Sequence, residues 1–209
     1  MTVTVNLADG SRALAITLIK ATTDEVSAAI DLTLASWNVG ERFARYQSDS
    51  ASTVSNIKPI PGGAHRFKLA LFSTRKGQQS SALVVNLEDG YRSLAIGLAT
   101  RLKCLQIQLL STAIDAYYPR HSFEMWQDGE SRRIVRSLKD DNKWEFFERG
   151  DPQSFERIEL YKEKLIKSRV TRPLLTEYAR TLGWSFDDFT AVSTTNPAFI
   201  HERDEIHES

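Results

Sequence analysis

Few side chains in this sequence could do acid–base or nucleophilic chemistry: one cysteine, Cys104, and four histidines, His65, His121, His201 and His207. A cysteine nucleophile needs a depressed pKa in an accessible, electropositive setting. Cys104 instead opens the stretch Cys-Leu-Gln-Ile-Gln-Leu-Leu, where a thiol acts as a small core hydrophobe. Being single, it also excludes an intrachain disulfide and a thiolate zinc site. His121 follows Tyr117-Tyr118-Pro119-Arg120 at the entrance to a predicted strand and reads first as a loop histidine. A carboxylate–histidine enzyme would pair it with Asp115 near the strand ends, so His121, Asp115 and Cys104 are the residues an enzyme would draw on. His65 flanks Gly62-Gly63 and reads as another loop histidine. His201 and His207 lie in His-Glu-Arg-Asp-Glu-Ile-His-Glu, spaced so that a helix would put them on different faces; a solvated tail is expected, not a ligand pair.

Paired carboxylates occur at Asp140-Asp141 and Asp187-Asp188. Acid–base work needs one carboxyl raised by burial in a cleft. Adjacent residues in a strand point opposite ways, and both pairs sit in turn-like contexts. Asp140, Asp141, Asp187 and Asp188 are therefore expected to serve turns and to present carboxylates to a partner. The sequence has no Gly-x-Gly-x-x-Gly, no Walker phosphate loop, no His-Glu-x-x-His, no Gly-x-Ser-x-Gly and no EF-hand loop. No catalytic set, metal or cofactor is expected.

The elements that must position these residues come from an ordinary composition. The chain has 209 residues, 41% apolar and 26% charged, long enough to bury a core without staples. Lysine plus arginine and aspartate plus glutamate are both 27, so no global field favours nucleic acid or an anionic membrane. Basic residues gather between Ser131 and Arg172 and acidic ones after Phe186. Arg132, Arg133 and Arg136 could hold phosphates while Trp126 or Trp144 stacks on bases. A hairpin with charges on its solvated face and tryptophans inside is the stronger reading, which argues against nucleic acid. The opening Met-Thr-Val-Thr-Val-Asn-Leu lacks a basic start and a long apolar run, and Ala13 to Ile19 is far too short to span a membrane. A cytoplasmic protein with no membrane contact is expected.

Strands are predicted at Thr2–Leu7, Arg12–Lys20 and His65–Phe72, with a turn at Pro61-Gly62-Gly63 and a polar loop from Ser48 to Asn56. Thr22-Thr23-Asp24-Glu25 is a capping box that starts a helix near Asp24. Residues 82–110 read as strand, helix, strand; 121–147 as a three-stranded meander turning at Asp128-Gly129 and Asp140-Asp141-Asn142. Helices are predicted from Phe155 to about Lys167 and from Thr171 to Leu182. The fold expected is α+β, a mixed but mainly antiparallel sheet with helices on one face or at its ends. Two lobes, 1–80 and 81–192, would precede a mobile tail, 193–209. Residues 5–18, VNLADGSRALAITL, and 85–98, VNLEDGYRSLAIGL, agree at 10 of 14 positions, yet the first copy reads as strand and the second as a helix start.

Three further stretches are Leu18-Ile19-Lys20-Ala21-Thr22-Thr23-Asp24-Glu25-Val26, Trp126-Gln127-Asp128-Gly129 and Trp144-Glu145-Phe146-Phe147-Glu148. In them and in its order of elements the chain resembles a loose class of uncharacterised bacterial immunity-type proteins of polymorphic toxin systems. The resemblance covers about a quarter of the chain and transfers no functional residue. It implies a non-enzymatic binding protein whose partner is a protein, such as a toxin occluded at its active site. A small cytoplasmic enzyme and a nucleic-acid module are the alternatives.

Overall fold

The structure, a computed structural model, describes residues 13–37, 43–49, 56–57, 59–60, 66–74, 79–113, 115–184 and 198–203. The strand expected over 2–7, the turn at 61–63, His65, Asp187, Asp188 and His207 lie outside the described residues.

Ala13–Ile19 forms β1, followed by α1, Thr23–Ser36. Thr22 caps this helix: its hydroxyl accepts the Glu25 amide at 3.2 Å, and the Glu25 carboxylate accepts the Thr22 amide at 2.8 Å. That is the reciprocal box the spacing predicts. Thr22→Ala is expected to cost about 1 kcal/mol, measured as a lower urea midpoint at unchanged slope.

The later elements are β2 (Phe43–Ser48), β3 (Lys68–Ser73), β4 (Ser81–Val85), α2 (Arg92–Leu102), β5 (Gln106–Thr112), β6 (Arg120–Gln127), β7 (Glu130–Asp140) and β8 (Lys143–Arg149). Two 3₁₀ turns follow at Leu160–Lys162 and Ile166–Ser168, then α3 (Arg172–Thr181) and β9 (Ala198–Arg203). The nine strands form one antiparallel sheet in the order β2-β9-β3-β4-β1-β5-β6-β7-β8. An isolated parallel bridge joins Ile60 to Leu87. The fold is α+β, as the element pattern predicts.

The sheet runs unbroken past residue 80: β3 and β4 are hairpin partners there, and β1 lies between β4 and β5. Helices cover both faces, not one. On the first face α1 and α2 pack Val26, Ile30, Leu94 and Leu98 over Ala15, Ile19, Leu69, Leu71, Leu83 and Val85. On the second, α3 and the chain leading to it pack Tyr161, Leu175 and Tyr178 over Leu14, Ile16 and Leu18 of β1 and over Ile107, Leu109 and Phe123. β4 is buried along its whole length and so reads as a near-continuous apolar run, whereas β5 buries Gln106 and Gln108 by donating to the Ala95 and Gly90 carbonyls.

Three expectations are corrected. The helix predicted from Phe155 to Lys167 is two separate 3₁₀ turns, with Ile158 and Leu165 left exposed. Residues 198–203 are not a free tail but β9, inserted between β2 and β3 with Ala198 and Ile200 fully buried. The arginine triplet does not share one solvated face. Arg133 points into the second core, whereas Arg132 lies exposed beside Asp128 and Glu130. Trp126 fills the opposite side against Ala95 and Ala99 of α2.

Candidate functional site

Two connections meet at one end of the sheet. The β7–β8 turn places Asp141 and Asn142 at φ 43° and 67°, the left-handed pair that a two-residue antiparallel hairpin requires. The β5–β6 connection runs beside it, tied by the Lys139 amide, which donates to the Pro119 carbonyl at 2.8 Å. Pro119 is buried, so the residues just before it are held outward on a fixed base. Tyr117 and Tyr118 are 87% and 60% exposed and meet edge to face with ring centroids 4.5 Å apart.

Together with Lys139, Asp141 and Asn142 these tyrosines line an open cleft of about 240 Å³. Tyr117 first, and the charges of Asp140 and Asp141 among the smaller causes, push the Tyr118 phenol above its ordinary pKa. The cleft thus offers two aromatic faces with phenol hydroxyls, a carboxylate and an ammonium. Such mixtures suit protein contacts, because tyrosine supplies large area at low entropic cost. Of the four expected recognition carboxylates, Asp141 lines the cleft, Asp140 ends β7 beside it, and Asp187 and Asp188 lie outside the described residues. Sequence reasoning missed Tyr117 and Tyr118. Their signal was two adjacent tyrosines in a connection where a buried loop would carry nothing so polar.

The enzyme residues are not gathered into one site. His121, expected in a loop, is the second residue of β6 and is buried at 8% exposure. Its Nδ1 lies 2.9 Å from Ser111 Oγ, which accepts from Arg172 Nε at 3.0 Å. That leaves the serine proton for Nδ1, so the neutral ring carries its own hydrogen on Nε2. A serine beside a histidine is a nucleophile–base geometry, but Ser111 is fully buried and already held by arginine. Burial first, and the Arg172 charge second, lower the His121 pKa to about 4. Asp115 is exposed in the β5–β6 connection. Cys104 precedes the opposite end of β5, about 20 Å away by the rise of a strand. Burial pushes its thiol above the ordinary range, the opposite of an activated nucleophile.

His201 differs most from its expected place. It is 1% exposed on β9 beneath α1, with Nδ1 3.9 Å from Asp31 Oδ1 and Nε2 buried without a hydrogen-bond partner among the described residues. Arg45 holds Asp31 at 2.7 Å. Burial lowers the His201 pKa to about 4, with Asp31 opposing and Arg45 reinforcing the shift. Among the described residues no cluster of three histidine, cysteine or carboxylate side chains could hold a metal ion, and no helix is long and apolar enough to cross a membrane. No family model, no curated protein and no solved structure matches the chain.

Proposed function

We propose that the chain is a non-enzymatic protein-binding module and that the end of the sheet carrying Tyr117, Tyr118, Lys139, Asp141 and Asn142 is its contact surface. The observation that carries this reading is the exposed, edge-to-face tyrosine pair beside the left-handed β7–β8 hairpin turn. A preformed aromatic anchor next to charged groups lowers the entropy lost on docking. The partner is a protein presenting a basic or polar pocket that receives the phenols and the Asp141 carboxylate. A toxin whose active site is covered by this end of the sheet, in the manner of an immunity protein, fits that requirement. The buried setting of His121 and the thiol of Cys104 give the enzyme alternative no support.

The test compares capture by wild type and by the double variant Tyr117→Ala/Tyr118→Ala from the source cell's lysate at moderate salt. Wild type is expected to retain one stoichiometric protein, and the double variant to lose it with a drop of at least about 100-fold in affinity. The variant's unfolding free energy should stay within about 0.5 kcal/mol of wild type, since both rings are exposed. Equal capture by both proteins sinks the assigned surface.

A further inference from the structure

A second concavity lies on the α1–α2 face, where the N-terminal turn of α2 overhangs β5, β6 and β7. It has a volume of about 160 Å³, comparable to the roughly 150 Å³ cavity that accepts a benzene-sized guest. Three of its lining residues are arginines. Arg92 is neutralised by Glu124 through two hydrogen bonds of 2.7 and 2.5 Å. Arg120 and Arg136 are not: among the described residues neither forms an ion pair with a carboxylate.

Register places these two arginines beside one another. Arg136 stands opposite Ser122, and Arg120 opposite Leu138, on adjacent antiparallel strands. Residues so related are diagonal neighbours on one face, with Cβ atoms about 7–8 Å apart. An oxyanion between them would sit within reach of both forks and of the Ser122 hydroxyl.

The two guanidiniums are held in different ways. Arg120 donates through Nη2 to the Glu88 backbone carbonyl. Burial lowers its pKa, with Glu88 and Asp89 acting against the shift from a distance. Asp89 also lines the groove, but one of its oxygens accepts the Tyr91 amide at 2.9 Å. The Arg136 side chain makes no hydrogen bond among the described residues and stacks on Phe147, with its guanidinium carbon 4.6 Å from the ring centroid. Stacking leaves the whole edge of the fork free for bidentate contact. The groove's apolar wall is Leu110, Ile134 and Leu138, and Gln108, Ser122 and the Arg92–Glu124 pair complete its polar lining. Pockets that combine an apolar wall with a few convergent polar groups take small organic molecules.

We propose that this groove binds a small organic anion, its carboxylate or phosphate held between Arg120 and Arg136 and its apolar body laid against Leu110, Ile134 and Leu138. The two guanidiniums match either oxyanion in a bidentate manner. The site is separate from the tyrosine cleft and stands whether or not that cleft docks a protein.

The experiment is an isothermal and NMR titration of the intact chain with phenyl phosphate, benzoate and inorganic phosphate at a salt concentration of about 0.15 M. Saturable binding of phenyl phosphate or benzoate is expected, at least about tenfold tighter than inorganic phosphate. Arg136→Gln and Arg120→Gln should each weaken it by about tenfold or more. Arg132→Gln, an exposed arginine on the same strand already paired with Glu130, should leave it unchanged. Arg136 is itself exposed, so its variant keeps the test valid if the Arg120 variant does not fold. Inorganic phosphate binding as tightly as the aromatic anions would overturn the organic ligand. Absence of saturable binding, or binding indifferent to Arg136→Gln, would overturn the site.

Discussion

Replacing Glu156 with alanine is expected to cost about 3–5 kcal/mol of stability, seen as a large fall in the urea midpoint at constant slope. The reason is the arginine it would abandon. Arg133 is 1% exposed on β7, and its Nε reaches both Glu156 oxygens at 2.9 and 3.0 Å. Nη2 reaches Glu156 at 2.8 Å and Glu148 at 2.7 Å, while Nη1 donates to the Gly150 carbonyl at 2.7 Å. Glu156 also accepts the Gln153 amide at 2.7 Å and the Tyr161 hydroxyl at 2.9 Å. Burial opposes the Arg133 charge, but its bonds to Glu156 and Glu148 outweigh that and raise its pKa. Removing Glu156 leaves a desolvated cation with half-exposed Glu148 as its one remaining carboxylate among the described residues, besides the Gly150 carbonyl. Removing both, as Arg133→Met/Glu156→Leu, should cost markedly less than Glu156→Ala alone, because the unpaired charge and not the lost contact is the expensive part. A double variant as unstable as the single one would show that the charge is not what makes the loss large.

Acid is expected to weaken the fold well before its carboxylates are protonated. His121 and His201 both have pKa values near 4 in the folded chain, against about 6.5 unfolded. The unfolded chain therefore takes up these protons first. The stability conferred by keeping the two rings neutral is full above about pH 6.5 and is lost as pH falls toward 4, levelling off below that. Each shift corresponds to up to about 3 kcal/mol, and the steepest slope is about 2 kcal/mol per pH unit near pH 5. Unfolding measured at about pH 7 and about pH 5 should differ by about 3–4 kcal/mol, and His121→Gln/His201→Gln should remove most of the difference. In NMR titration neither folded imidazole should change charge above about pH 5. A wild-type stability that is flat across this interval would contradict the burial of both rings.

Local chemistry made part of this architecture readable from sequence. The Thr22–Glu25 box, the Asp128-Gly129 turn and the 82–110 strand–helix–strand unit each carry their own instruction, and each forms where predicted. The near-repeat shows where such instruction ends. Ala-Leu-Ala-Ile-Thr-Leu yields β1, while Ser-Leu-Ala-Ile-Gly-Leu lies in the first turns of α2. The shared Leu-Ala-Ile core suits both states. Pairing with β4 and β5 holds the first copy extended, and packing of Leu94, Ala95 and Leu98 on the sheet holds the second as helix. For 155–167 the helical pattern loses to three anchors, Glu156 on Arg133, Tyr161 in the core and Phe155 against Phe123. These fix the chain at spacings a continuous helix does not meet. β9 escaped notice because its partners, β2 and β3, lie more than a hundred residues earlier in the chain. The same distance hid the burial of His201. In the candidate surface Asp140 and Asp141 were legible as turn residues, but their neighbours Tyr117 and Tyr118 come from another hairpin and meet them only through sheet register.

Whether a protein partner docks at this end of the sheet can be read by photo-crosslinking from the surface itself. The probe p-benzoylphenylalanine would replace Tyr118 in one protein and Tyr46, an exposed tyrosine on the edge strand β2, in another. One protein is expected to be crosslinked from position 118 in the source cell and none from position 46. A partner crosslinked from position 46 but not from 118 would contradict the assignment.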